Sequence, residues 1–81
     1  MAYKVTGLVA PNVVGEFHLR DCSLCEWIEA DSHLEAAALF ILKNSEVNTS
    51  PILVVDEDYN MGSYPLENVK RQADYMVGLR G

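Results

Sequence analysis

Leu24-Cys25-Glu26-Trp27-Ile28-Glu29-Ala30-Asp31-Ser32-His33-Leu34-Glu35-Ala36-Ala37-Ala38-Leu39-Phe40-Ile41-Leu42-Lys43-Asn44 decides how this chain folds. Residues 24–30 have strand character, and everything beyond Ser32 reads as helix. Ser32 stands at an N-cap position and Glu35 lies three residues on, the spacing of a capping box in which serine oxygen and glutamate carboxylate each take an orphan backbone amide. Asp31 and Glu35 suit the positive end of the helix dipole, and Lys43 suits the negative end. Between them Ala36–Leu42 is an unbroken apolar run. A helix with so little polar face must be covered on most sides: the alanines permit close approach and Leu39, Phe40, Ile41 and Leu42 supply bulk.

Within the preceding strand, Leu24, Glu26, Ile28 and Ala30 share one face, and Cys25, Trp27 and Glu29 share the other. Turning the Leu24 face inward leaves Trp27 as an exposed aromatic among acids, a composition that suits a contact surface.

Working outward, Tyr3–Val9 reads as a first strand, weakened by Gly7, and Ala10-Pro11-Asn12 has turn chemistry. Val13–Arg20 alternates as a second strand, with Val13, Phe17 and Leu19 inward. Asp21-Cys22-Ser23 is a tight connection into the third strand, Leu24–Ala30. After the helix, Pro51–Val55 is a short continuous apolar run, the pattern of a central strand buried on both faces. Asp56–Pro65 reads as an irregular turn. Leu66, Val69, Ala73 and Met76 then form the stripe of an amphipathic helix over residues 66–78 that Gly78 can end. The expected architecture is α+β: a mixed or antiparallel sheet of about four strands in the order β-β-β-α-β-α, with two helices on one face of a single domain spanning residues 1–81.

An apolar content of 49% with 22% charged residues is an ordinary globular mixture. No apolar run approaches the roughly 20 residues of a membrane span, and no signal peptide is evident, so a cytoplasmic protein is expected. The formal net charge is -6. Asp21, Glu26, Glu29, Asp31 and Glu35 occupy residues 21–42 without a base, and Glu46, Asp56, Glu57, Asp58 and Glu67 do the same over residues 44–69. Such a surface should repel phosphate backbones and favour basic partners, so direct nucleic-acid binding is not expected.

Two constellations could carry chemistry. His18, Cys22 and Cys25 would converge if Asp21 and Cys22 formed a two-residue hairpin loop, offering three of the four ligands of a structural zinc site. His33, the obvious fourth, lies roughly 20 Å away past the far end of a straight strand. A redox role for the CxxC pair is disfavoured by Glu26 and Glu29, which would raise a thiol pKa. Asp56, Asp58, Asn60 and Glu67 match positions 1, 3, 5 and 12 of a calcium loop, but Met61 replaces the glycine at position 6 and Pro65 interrupts the loop. No nucleophile, base and orienting acid can be grouped, and there is no phosphate loop, so no enzymatic activity is expected.

The reading these observations favour is a small acidic module that binds a protein with a basic surface and acts by occlusion or adaptation. Glu26, Trp27, Glu29, Asp31, Asp56, Asp58 and Tyr59 are the expected contact residues, with Tyr64 a further aromatic anchor. In a sharper form it is an inhibitor of a nucleic-acid-handling enzyme, of the kind phages encode, whose carboxylates stand where phosphates would lie. The alternative is a zinc-binding domain in which His18, Cys22 and Cys25 hold the ion. Self-association through exposed strand surface is a third expectation.

Overall fold

A computed structural model describes residues 1–9 and 22–80. The elements are β1 (Ala2–Val9), β2 (Cys22–Glu29), α1 (His33–Lys43), β3 (Ile52–Asp56), β4 (Met61–Tyr64) and α2 (Leu66–Arg80). The strands form one sheet in the order β2-β1-β3-β4, every neighbouring pair antiparallel. This is the expected α+β architecture of four strands and two helices. The strand expected over residues 13–20 falls outside the described residues.

Alternation decides the inner face. Tyr3, Val5 and Gly7 of β1, Ile28 of β2, and Ile52 and Val54 of β3 are buried there. They join Ala36, Ala37, Phe40 and Ile41 of α1, Val47, and Leu66 and Val69 of α2 in one apolar cluster. α1 lies against all four strands and α2 packs chiefly along α1, so the apolar helix is enclosed by a sheet on one flank and a helix on another. That enclosure explains how Ala36–Ile41 can lack a polar face. Leu42, one residue further, emerges at 43% exposure.

The helix ends are built as their residues suggest. Ser32 Oγ accepts the Glu35 amide at 3.1 Å, while the Glu35 carboxylate takes the Asp31 amide at 3.3 Å, one residue ahead of the position a standard capping box would use. Such a cap contributes about 1 kcal/mol. At the far end Asn44 closes the helix: its backbone and side-chain nitrogens both donate to the Phe40 carbonyl, at 2.9 and 3.0 Å. The α2 amide of Leu66 is met by Ser50 Oγ at 3.0 Å, a cap supplied from the loop ahead of β3.

Four expectations change. Cys22 is a strand residue opposite Val9 rather than part of a turn, because the β1 ladder runs the whole length of β2. β3 is internal to the sheet but covered on one side only, with Leu53 38% exposed, because among the described residues both helices lie on the inner face. Met61–Tyr64 is a short edge strand, where turn-like Asn, Gly and Ser had suggested irregular chain. α2 continues through Gly78 to Arg80; no residue crowds the space a side chain would fill at Gly78, and its glycine costs stability without compelling a stop.

Candidate functional site

The register draws one transverse row of side chains across the outer face of the sheet. Trp27 on β2 pairs with Lys4 on β1, Lys4 pairs with Val55 on β3, and Val55 pairs with Met61 on β4. At about 4.8 Å between strands, the row spans roughly 14 Å. The next row is Cys25, Thr6, Leu53 and Ser63, about 6.8 Å further along the strands. Leu8 lies beyond it on the same face. Trp27 is 62% exposed and Met61 70%. A cleft of about 510 Å³ lies over the first row, lined by Lys4, Trp27, Val55, Met61 and residues of the β3–β4 turn that include Tyr59.

That turn is organised by one buried carboxylate. Asp56, 6% exposed, accepts the amides of Asp58 and Asn60 on Oδ1, both at 2.9 Å, and the Asn60 side-chain amide on Oδ2 at 3.3 Å. The Tyr59 amide returns to the Asp56 carbonyl and the Asp56 amide to the Asn60 carbonyl, each at 3.1 Å. From the first turn of α1, His33 Nε2 donates to the Asn60 carbonyl at 3.1 Å and lies 3.4 Å from Asp56 Oδ2, its ring set edge-on against Tyr3 at 4.8 Å. The result is a hydrogen-bonded loop in which Tyr59 lies at φ 65° and 88% exposure. A bulky residue in the left-handed region is strained where Gly or Asn would not be.

The antiparallel order gathers acids at the same end of the sheet. The C-terminal ends of β2 and β3 both lie beside the start of β1, so Glu29, Asp31, Glu57 and Asp58, all exposed, flank the Trp27 row. Burial, and then the field of Asp56, Asp31, Glu35 and Glu29, raises the Tyr3 hydroxyl above its usual range.

The expected contact residues therefore divide. Trp27, Glu29, Asp31, Asp58 and Tyr59 come together at one end of the sheet. Glu26 does not: it is on the inner face, where Oε2 accepts Asn44 Nδ2 at 2.8 Å and Oε1 pairs with Lys43 at 3.3 Å, tying β2 to the end of α1. Those bonds, from Asn44 first and Lys43 second, lower its pKa. Asp56 shapes the turn from within. Tyr64 packs against the core cluster. Lys4, Leu53, Val55 and Met61 belong to the surface although no local motif marks them; only the cross-strand register brings them together.

Of the zinc constellation, His18 lies outside the described residues, as does the side chain of Cys22. Cys25 is an exposed free thiol opposite Thr6, whose hydroxyl donates to Sγ at 3.6 Å. His33 is engaged with Asn60 and Asp56. Among the described residues no group of three His, Cys, Asp or Glu side chains is disposed to hold a metal ion.

Acid should loosen this end of the molecule. Bonds from the Asn60 amide above all, then from the Asn60 side chain and Asp58, with the field of His33, outweigh desolvation and hold the Asp56 pKa below its ordinary value. A depressed carboxylate adds stability that is complete above its unfolded pKa, about 3.9, and is lost as pH falls through the folded value. Unfolding midpoints measured from pH 6 down to about pH 2 should therefore fall in the acid range. Asp56→Asn should be less stable at pH 6 with a shallower acid slope; an unchanged slope would remove Asp56 from this role.

No protein-family model, curated protein or solved structure matches the chain. Among the described residues, no helix is long and apolar enough to cross a membrane.

Proposed function

We infer that this protein is a small acidic binding module that uses the outer face of its sheet to engage a protein with a basic surface and acts by occlusion or adaptation. The observation that carries the reading is the exposed row Trp27-Lys4-Val55-Met61, with Tyr59 above it and four exposed carboxylates at the same end. Contact surfaces concentrate their energy in such aromatic and Met anchors, while rim charges steer the encounter. Tyr59 strengthens the reading: a strained backbone at an almost wholly exposed tyrosine has no packing benefit to offset it.

Binding is favoured over catalysis because the polar groups beside the cleft, Asp56, Asn60 and His33, are occupied in holding the turn. The sharper form is an inhibitor of a nucleic-acid-handling enzyme, with Glu29, Asp31, Glu57 and Asp58 standing in for successive phosphates. A cytoplasmic site of action suits the exposed Cys25 thiol.

The test is affinity capture from the native host with mass-spectrometric identification, repeated with variants. Trp27→Ala and Tyr59→Gly should each abolish or strongly weaken capture, as should salt near 0.5 M, where the Debye length is only about 4–5 Å. Tyr59→Gly is the more telling variant, because glycine relieves the positive φ and leaves the fold as stable or more so while binding is lost. Tyr75→Ala, on exposed α2 surface, should have no effect. A partner held equally well by all three variants would overturn the assignment of this face.

A further inference from the structure

We propose that the outer face receives an amphipathic helix of the partner, its apolar stripe on the Trp27 and Leu53 rows and its basic residues at the acidic end of the sheet. This rests on the binding reading above and deepens it by naming the recognised element.

Geometry argues for a helix. The interior strands β1 and β3 each have a hydrogen-bonded neighbour on both sides, so a partner approaching this face meets side chains rather than free backbone. The face is roughly 14 Å across, against the 10–12 Å diameter of a helix with its side chains. Along the strands, Leu8, the Leu53 row and the Val55 row repeat about every 6.8 Å, close enough to the 5.4 Å pitch for successive helical turns to meet successive rows. Helices already lie against the inner face, and one more on the outer face would complete the layered arrangement in which a sheet buries both sides.

Charge selects the occupant. Glu29, Asp31, Glu57 and Asp58 are exposed at one end, where the N-terminal ammonium meets Glu29 at 2.9 Å, and Lys4 is the single lysine or arginine on the described part of the face. A lysine stem can cover apolar surface while its ammonium stays in water, so Lys4 need not interrupt the stripe. A second copy of this chain fits poorly, because two surfaces each belonging to a chain of net charge -6 repel one another. An anionic membrane is disfavoured for the same reason.

The chain contains one tryptophan, and it lies in the first row, so its emission reports on the face directly. The probe is a synthetic Leu/Lys amphipathic peptide of about 18 residues, roughly 27 Å long as a helix. Titration should shift Trp27 emission to shorter wavelength, saturably, with helicity rising in step and affinity falling as salt is raised. Met61→Asp, at an exposed edge position that the fold should tolerate, should weaken binding by about tenfold or more. Leu42→Asp, away from this face, should leave it unchanged.

The proposal is overturned if a scrambled peptide of the same composition binds equally well, or if Met61→Asp has no effect. Emission or sedimentation that changes with protein concentration alone would also overturn it and give the face to a second copy. If the peptide fails but a captured basic protein still depends on Trp27 and Tyr59, only the helix is wrong. If capture is insensitive to those residues as well, the binding surface itself is misassigned.

Discussion

Phe40→Ala should destabilise the fold by about 3–5 kcal/mol. Phe40 is fully buried, the bulkiest residue so enclosed, and its ring meets Gly7, the β1 residue beneath it. Truncation removes the apolar contact and leaves a ring-sized void between helix and sheet, which a helix fixed at both ends by Ser32 and Asn44 cannot easily collapse. Small domains have only about 5–15 kcal/mol in total, with short chains towards the low end. Urea unfolding should therefore show a large fall in midpoint, with much of the variant unfolded at physiological temperature. A loss below about 1 kcal/mol would mean that the helix settles into the gap and that the core is organised elsewhere.

Gly7→Val is expected to come next, at about 1–3 kcal/mol or more. A Cβ added at Gly7 would stand 2.9 Å from Phe40 Cε2, 3.0 Å from Val47 Cγ1 and 3.4 Å from Ile52 Cδ1. Three side chains from three directions cannot all retreat, and Val47 and Ile52 are themselves fully buried. Because the first clash is with the ring, the two sites are coupled. Gly7→Ala combined with Phe40→Leu should be less destabilised than the sum of the single variants, a departure of the size contacting residues show, about 0.5–3 kcal/mol. Strict additivity in that cycle would show that the added methyl finds room without disturbing Phe40.

Gly7 also illustrates what was legible in the chain. As a local feature it only weakens a strand; its use, letting Phe40 come down onto the sheet, depends on a residue 33 positions away. Local patterns gave correct readings where one element carries its own evidence. Ser32 and Glu35 mark the start of α1, alternation turns Ile28 inward and Trp27 outward, and Leu66, Val69 and Ala73 form the buried stripe of α2. Patterns failed where the answer lies between elements. Alternation puts Glu26 on the inward face but cannot show that Asn44 and Lys43 at the end of α1 hold it there, and Asp56 reads as part of an acidic turn although its oxygens are consumed inside that turn. β3 reads as doubly buried because its run of Ile, Leu and Val cannot record how many layers the fold supplies. The exposed row is the extreme case: Trp27, Lys4, Val55 and Met61 come from four separate strands and meet through ladder register alone.

The placement of β1 between β2 and β3 bears on how the protein can be made. β1 needs a flank that arrives only with residues 52–56. A nascent chain carrying β1, β2 and α1 would bear a bare ladder edge along β1 and a greasy helix with its second neighbour still untranslated. Such an intermediate is open to pairing with other nascent copies and to capture by chaperones until the later residues emerge. Truncation before β3 should accordingly yield insoluble material rather than a smaller folded unit.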